Sequence, residues 1–194
     1  MPPKARFTRE EIVDAAVRVL RRDGEGGITA RAVAAELGSS PRPIFTVFSD
    51  MDEVKAGVLR LALDRYKQYV DEGLGEEPAF RGVGTAYLKF AGREPAFFRL
   101  LFMKERSHTP LALADALYLY EESYARILSS VESYYSLSRP KAEELYRNMW
   151  IFVHGIAVMT VTNIAVFSEQ DAVILLSRAF RAFLGEVNGN DRGV

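Results

Sequence analysis

Residues Phe7 to Leu59, FTREEIVDAAVRVLRRDGEGGITARAVAAELGSSPRPIFTVFSDMDEVKAGVL, decide the fold of this chain. Thr8 and Glu11 form a capping-box pair that begins a first helix, and the glycine-rich stretch Asp23–Gly27 ends it. Thr29 then caps a second helix, which is followed by a Gly-Ser-Ser turn at Gly38–Ser40. Ile44 and Phe48 then anchor a further short helix. Two short helices joined by a tight turn and braced by a preceding helix form a helix-turn-helix, whose second helix can enter the DNA major groove.

The rest of the chain has the same helical period, and no stretch alternates as a strand does. Asp50 with Glu53 opens a long helix to Asp71. Further helices are expected at Pro78–Gly92, Pro95–Lys104, Pro110–Ser136, Pro140–Phe167 and Glu169–Val187. The prediction is an all-α protein of about nine helices. It has a three-helix DNA-binding domain (1–50), a helical ligand-binding and dimerisation domain (51–187) and a disordered tail (188–194).

Composition excludes several kinds of function. With 194 residues, 48% of them hydrophobic and 26% charged, the chain can bury one medium core or two small ones. It has no cysteine and two histidines, His108 and His154, so we expect no disulfide, no metal site and no cofactor. The first residues lack an apolar signal core, which favours a cytoplasmic protein.

Net charge is permissive for DNA binding without indicating it. The chain carries a formal charge of −1, and the first 50 residues hold eight basic and seven acidic side chains. Any affinity for nucleic acid must therefore come from a local patch of charge.

The opening stretch resembles the N-terminal domain of the TetR family of ligand-responsive repressors. The residues that carry the resemblance, in family order and spacing, are Ile12, Ala15, Ala16, Val19, Gly24, Thr29, Arg31, Val33, Ala34, Leu37, Gly38 and the run Phe45–Phe48. The resemblance implies a homodimeric regulator on a palindromic double-stranded operator. It also implies a repressor that a small, mostly apolar ligand releases from its operator.

Carried over residue by residue, the resemblance implies a set of DNA contacts. Thr29 and Arg31 match phosphate-contacting positions, and Lys4 and Arg6 match a basic N-terminal arm. The face presented to the groove corresponds to Ser39, Ser40, Pro41, Arg42, Phe45 and Thr46. Each residue also has a purely structural reading, such as Thr29 acting only as a helix cap.

The chain departs from the family at this surface. Phe45 replaces a common Tyr and Met51 a common Lys, which removes phosphate contacts. Pro41 and Pro43 fall in the first turn of the recognition helix, and a residue before proline resists helical geometry. Our hypothesis is that Pro43 is effectively the first helical residue, which splays Arg42 toward the bases.

The second half contains the expected ligand site. Residues 150–155, WIFVHG, resemble a W-x-x-x-H-G element of one class of TetR-like C-terminal domains. Trp150 and His154 share a helical face, although a histidine hydrogen-bonded in the core explains them equally well. The predicted wall of a mostly apolar pocket is Phe98, Phe102, Tyr120, Tyr124, Trp150 and His154.

Residues 149–167 carry no charge and are long enough to be considered as a membrane span. His154, Asn163 and two threonines within the stretch favour a helix buried against a partner subunit. The residues expected at a four-helix dimer interface are Ile156, Met159, Asn163, Val173, Leu176, Phe180 and Leu184.

An enzyme is the least favoured class. Glu121–Glu122 and Glu143–Glu144 are adjacent pairs that point to different helix faces, and no phosphate loop or nucleophile–base pair occurs. Two non-enzymatic functions besides ligand-released repression stay open. The chain could be a helical dimer with weakened DNA binding that acts constitutively or as an activator, or a ligand- or protein-binding module.

Overall fold

The structure is a computed structural model that describes residues 6–103 and 123–189. Eight α-helices lie within these residues and no strand does, as the sequence predicts. They are α1 (Arg9–Asp23), α2 (Ala30–Glu36), α3 (Met51–Leu74), α4 (Ala79–Arg93), α5 (Pro95–Phe102), α6 (Tyr124–Tyr135), α7 (Arg139–Val161) and α8 (Glu169–Gly189).

Contacts divide the described residues into two compact units. The first runs to Arg65 and includes the segment from Arg99; the second comprises Tyr66–Phe98 and the residues from 123 on. The predicted helix over Pro110–Ser136 is described only from Tyr124, and its first part lies outside the described residues.

Local side-chain caps begin the helices of the first unit. Thr8 and Glu11 form the predicted capping box on α1, with Thr8 Oγ1 accepting from the Glu11 amide at 3.2 Å and Glu11 Oε2 accepting from the Thr8 amide at 2.8 Å. Thr29 Oγ1 accepts from the Ala32 amide at 3.2 Å and so begins α2. These caps fix both ends of the loop between α1 and α2.

The turn after α2 is a Schellman motif centred on Gly38. The Gly38 φ is +59°, the Ser39 amide donates to Ala34 O at 2.9 Å, and the Gly38 amide donates to Ala35 O at 3.1 Å. Glycine adopts this φ at the lowest cost of any residue, so Gly38 favours the turn of the helix-turn-helix.

The predicted recognition helix is a 3₁₀ turn over Ile44–Thr46, not an α-helix. Pro43 has helical dihedrals (φ −60°, ψ −29°) and directly precedes the turn. The Ile44 amide donates to Pro41 O at 3.1 Å and the Thr46 amide to Pro43 O at 3.3 Å, both across three residues. Proline in a first turn removes no α-helical hydrogen bond, but Pro43 disfavours helical geometry at the preceding Arg42, so the recognition element begins late and stays short.

The core of the first unit joins these elements. Ile12 and Val19 of α1, Val33 of α2, Ile44 of the 3₁₀ turn and Phe48 beyond it are each at most 2% exposed. Burying side chains of this size stabilises a fold by about 1.5–3 kcal/mol each. The exposed recognition turn is thus held from beneath by Ile44 and Phe48.

Helix α7 ends at Val161, six residues before the predicted end at Phe167. Asn163 adopts a left-handed φ of +58°, and the Ile164 and Asn163 amides donate to Met159 O and Thr160 O at 2.9 and 3.2 Å. This is a second Schellman motif, with asparagine in the place that glycine usually takes. Helix α8 continues to Gly189, past the predicted Val187, and residues 190–194 lie outside the described part.

Within the described residues no helix combines the length and the apolarity needed to cross a bilayer, and this includes the uncharged part of α7.

Candidate DNA-binding surface and effector pocket

Arg31 and Arg42 are exposed on the helix-turn-helix, Arg31 in the first turn of α2 and Arg42 just before the 3₁₀ turn. Neither forms an ion pair with a described carboxylate. Other arginines of this unit are used differently. Arg18 and Arg22 both contact Glu36, which ties α1 to α2. Hydrogen bonds to Asp23, and then to Glu36, raise the pKa of the Arg22 guanidinium. Arg31 and Arg42 therefore lie exposed at two of the positions expected to meet DNA.

The remaining predicted contacts are placed unevenly. Ser40, Phe45 and Arg6 are exposed, the Phe45 ring at 47%. The Thr29 hydroxyl caps α2 and the Thr46 hydroxyl donates to Pro43 O at 2.6 Å. Pro41 is half-buried and Lys4 lies outside the described residues.

Ser39 differs from its expected role. Its Oγ is buried, with no hydrogen-bond partner among the described residues. A buried hydroxyl cannot reach a phosphate or a base edge unless the turn moves, so the Ser39 side chain is not presented to DNA in this conformation.

A clamp that the sequence analysis missed holds the recognition turn in place. The Arg9 guanidinium lies 4.1 Å from the centre of the Phe48 ring, donates to Val47 O at 3.2 Å and contacts Glu53. Glu53 also accepts from the Ser49 amide at 2.7 Å, while its own amide donates to Asp50 Oδ1 at 2.8 Å. The clamp therefore connects α1, the end of the turn and the start of α3.

The Glu53 carboxylate of this clamp should make the stability of the first unit depend on pH. Hydrogen bonds from the Ser49 amide, and then from Arg9, lower the pKa of Glu53 from 4.5 to about 2. The folded pKa lies below the unfolded one, so the contribution of Glu53 to stability is complete above about pH 4.5 and is lost as the pH falls toward 2. We expect Glu53→Gln to lower the urea midpoint at pH 7 and to converge with the wild type near pH 2.

The control for this measurement is Asp52→Asn, on the same helical turn, whose side chain is 93% exposed. It should leave the midpoint almost unchanged at every pH. A Glu53→Gln deficit that stayed constant from pH 7 to pH 2 would show that the carboxylate charge is not what stabilises the clamp.

In the second unit, two of the predicted pocket residues, Trp150 and Phe98, lie against the imidazole of a third, His154. The His154 ring stacks on Trp150 with centroids 4.9 Å apart and on Phe98 at 5.9 Å. The Tyr87 hydroxyl hydrogen-bonds His154 Nδ1 at 2.9 Å. Burial lowers the pKa of His154, so the imidazole is neutral at pH 7.

The other pocket predictions lie elsewhere. Tyr124 is buried against Tyr146, with ring centroids 5.1 Å apart, and is not part of the His154 cluster. Phe102 ends α5 and groups with the first unit, and Tyr120 lies outside the described residues. Sequence reasoning missed Tyr87 because its partner is 67 residues away and no local pattern links the two.

His154 itself lines none of three cavities that lie between the described helices of the second unit. One of about 220 Å³ lies between α4, α6, α7 and α8, and one of about 310 Å³ lies between α4, α7 and α8. A third, of about 40 Å³, borders Trp150 and Tyr87. The first two have space for a small molecule; the third has space for about one water molecule.

The residues predicted at a dimer interface differ in how exposed they are. Ile156 and Leu176 are buried inside the second unit, at 4% and 6% exposure, so they have little area left for a partner. Phe180 packs on Phe80 and Tyr135 with ring centroids 6.2 and 5.0 Å apart. Val173 is 43% exposed and Asn163 is also exposed, while Met159 and Leu184 are half-buried.

A helix-turn-helix with exposed arginines, followed by a helical unit with cavities, defines a DNA-binding transcriptional regulator. The family model described as "Tetracyclin repressor-like, C-terminal domain" matches residues 80–183, more than half of the chain. The chain therefore belongs to the TetR family, as its first 59 residues predict.

Relatives and solved structures agree with this assignment. The chain is 23% identical over its whole length, and the whole of the relative, to the uncharacterized HTH-type transcriptional regulator YobS of Bacillus subtilis. It is also similar to a TetR-like regulator from Rhodococcus sp. RHA1, with a TM-score of 0.66 and 20% identity over 95% of this chain and 100% of that one. The multidrug binding protein EbrR, solved in complex with ethidium, has a TM-score of 0.59 and 20% identity over 92% of this chain and 99% of that one.

Proposed function

We propose that this protein is a cytoplasmic repressor that binds a palindromic operator as a homodimer and is released by a small, mostly apolar effector. The observation that carries the proposal is the pair of exposed arginines on the helix-turn-helix that have no described carboxylate partner, Arg31 and Arg42. We propose no catalytic step and no cofactor. Among the described residues no group of three or more His, Cys, Asp or Glu is placed to hold a metal.

The two arginines have different roles on DNA. Arg31, beside the N-terminus of α2, suits a phosphate oxygen, because both the guanidinium and the helix end favour an anion. Arg42 precedes the 3₁₀ turn at its exposed end and suits the O6 and N7 atoms of guanine. Phosphate contacts position the protein, and the guanine contact selects the sequence.

Dimerisation follows from the geometry of a palindrome, whose half-sites lie about one helical turn apart. The exposed apolar residues of α7 and α8 support an interface there: Ile151 is 49% exposed and Ile174 is 41% exposed. Gly155, one turn after Ile151, is exposed, and a Cβ added to it would meet nothing within 4 Å. A partner helix could therefore approach α7 closely at this point.

We expect Ile151→Asp to make the protein monomeric, because a carboxylate buried in an apolar interface would lose its hydration without gaining a partner. Sedimentation equilibrium measures the change in mass. Operator affinity should fall by about 10²–10⁴, since the second half-site is then no longer held at high effective concentration.

The matched control for the interface is Leu59→Asp, at a leucine of α3 that is 42% exposed. It makes the same chemical change and should leave the mass unchanged. An Ile151→Asp protein that stays dimeric, or a wild type that is monomeric at micromolar concentration, would contradict the proposed interface.

Helix α3 is the proposed route of coupling, since it begins in the first unit and ends in the second. An effector releases the operator only if it binds more tightly to a conformer that holds DNA poorly. The coupling free energy is then typically about 1–3 kcal/mol.

Selection of genomic fragments by the purified protein tests the function, with an Arg31→Ala/Arg42→Ala double variant as control. We expect the wild type to enrich fragments that share a palindrome and the double variant to enrich none. Recovery of the same fragments by both proteins would show that these two arginines do not bind the operator.

A second candidate function rests on the 3₁₀ turn and on Phe45 and Met51. A short recognition element without the common phenol and ammonium would weaken DNA binding. The protein would then act constitutively, as an activator, or as a helical module that binds a ligand or another protein. Selection without enrichment by the wild type favours this candidate.

A further inference from the structure

The cavity of about 220 Å³ in the second unit has an apolar floor. Phe80 of α4, Met149 of α7 and Leu176 of α8 line it and are each at most 8% exposed. The Phe180 ring adds a wall and packs edge-on against Phe80, with centroids 6.2 Å apart. The groove is therefore lined largely by apolar side chains of α4, α7 and α8.

Two arginines contribute to the lining of the groove. Arg81 and Arg181 both line the cavity and are both exposed. Neither forms an ion pair with a described carboxylate, and no described Asp or Glu lines the groove. Arg81 donates to the carbonyl oxygen of Glu77 at 3.3 Å, a neutral acceptor that does not cancel its charge.

Two other arginines of the same unit form ion pairs with carboxylates. Arg126 pairs with Asp71 at 2.6 Å, and Arg139 pairs with both Glu132 and Glu143 at 3.2 and 3.0 Å. The two guanidiniums at the groove are therefore positive charges beside apolar side chains, with no counter-ion among the described residues.

Tyr135 adds a neutral donor beside one of them. Its side chain lines the groove and is half-buried. Burial raises the pKa of the Tyr135 phenol, while the charge of Arg81 opposes the rise. The hydroxyl is therefore protonated at pH 7 and lies close enough to Arg81 to feel its field.

We propose that this groove binds an amphiphilic monocarboxylate with one medium-length alkyl chain, with the chain on Phe80 and Leu176 and the carboxylate at Arg81 and Arg181. The proposal names the ligand class of the effector function proposed above, and it rests on that function only for the effect of the ligand on DNA binding. Bidentate guanidinium–carboxylate pairs supply the orientation, and the apolar floor binds the tail.

Size and charge narrow the ligand class. The groove is smaller than the roughly 300–1,000 Å³ of pockets that take drug-sized ligands, so one chain fits better than a ring system. A cation would meet two like charges. The cavity of about 310 Å³ has a different character, because Glu169 lines it together with Lys89 and Arg93 and offsets their charge.

Calorimetric titration without DNA tests the groove, with decanoate as the probe and with decanol and decyltrimethylammonium as neutral and cationic probes. All are used below the concentration at which they form micelles. We expect decanoate to bind at least about tenfold more tightly than decanol, since a charge-assisted contact is worth that much or more. The cationic probe should not bind.

Two glycine substitutions on α4, one of them a control, test whether the alkyl chain of the ligand lies in the groove. Gly84 of α4 lines the groove, and a Cβ added there would lie 3.9 Å from both Leu176 and Val153, an ordinary contact. The Cβ is therefore accommodated; in Gly84→Leu the helix propensity rises and the rest of the side chain should occupy the groove. Gly92→Leu, on the same helix, projects into the other cavity and serves as the matched control. We expect the first to abolish decanoate binding and the second to leave it intact.

Substitutions of the two arginines test whether they bind the carboxylate of the ligand. Arg81→Gln and Arg181→Gln should each weaken decanoate by about tenfold and leave decanol unchanged. Arg178→Gln, one turn along α8 and outside the groove, is the control that loses the same charge.

The outcomes separate this inference from the proposed function. Decanoate binding that is lost in Gly84→Leu and weakened in both arginine variants supports the groove, whether or not DNA is released. No binding, equal affinity for decanol, or loss of binding in Gly92→Leu in place of Gly84→Leu would overturn it. Failure to bind an operator would overturn the repressor and would leave the groove standing.

Discussion

Replacing Phe48 by alanine should destabilise the first unit by about 3–5 kcal/mol, the usual cost of deleting a buried phenylalanine ring. The ring is 2% exposed and lies beneath the 3₁₀ turn, where the Arg9 guanidinium covers it 4.1 Å from its centre. The deletion leaves a cavity and removes the surface on which Arg9 rests. Urea unfolding measures the loss in free energy of unfolding. Hydrogen exchange at the amides of α1 and α2, measured separately, shows whether the loss affects the first unit.

Phe45→Ala is the matched control, three residues earlier and 47% exposed. Its effect on stability should stay within about 0.5 kcal/mol, as for other surface changes. A Phe48→Ala protein whose α1 and α2 amides exchange as slowly as those of the wild type would contradict the packing described for this unit.

Arg42→Ala should cost about 1–3 kcal/mol of operator affinity, roughly a 5- to 150-fold loss, and should relax preference at one base pair. Arg42 is exposed, precedes the recognition turn and has no carboxylate partner among the described residues. Arg31→Ala should instead weaken binding to all sequences similarly and reduce the salt slope by about one. Fluorescence polarisation with the operator and with single-base variants measures both.

The control for the arginine variants is Arg93→Ala, which removes one exposed charge from the end of α4 in the second unit. It should alter neither base preference nor salt slope. Unchanged preference in Arg42→Ala would mean that the base contact belongs to another side chain of the turn.

The features of the fold that sequence predicts are those set within a few residues. Thr8 with Glu11, Thr29 and Asp50 each cap the helix that follows at hydrogen-bonding distance. Gly38 supplies the one left-handed residue that the turn of the motif requires. In these cases the interaction is local, so the residue types and their spacing are sufficient.

Two local features differ from what the sequence predicts, each for a local reason. The short helix predicted at Ile44 and Phe48 is a 3₁₀ turn, and Pro43 disfavours helical geometry at the residue before it. The sequence predicts that α7 reaches Phe167, but the helix ends at Val161, because Asn163 reverses the chain. Asparagine accepts the left-handed conformation more readily than most residues, and this was the available signal.

The candidate sites depend on long-range contacts that no local pattern contains. His154 and Trp150 are one turn apart and were predicted together, but Tyr87 comes from another helix. The pairing of Arg81 with Arg181 at one groove also requires α4 and α8 to pack. Sequence spacing gives the face of a helix; only tertiary packing decides what that face meets.

The most direct test of sequence-specific regulation is fluorescence polarisation of the wild-type protein with a selected genomic palindrome and with a scrambled duplex of equal length and composition, at several salt concentrations. We predict tighter binding to the palindrome at every salt concentration, and a fall in log affinity that is linear in log salt, as counterion release requires. Equal affinity for the two duplexes would contradict sequence-specific regulation by this chain.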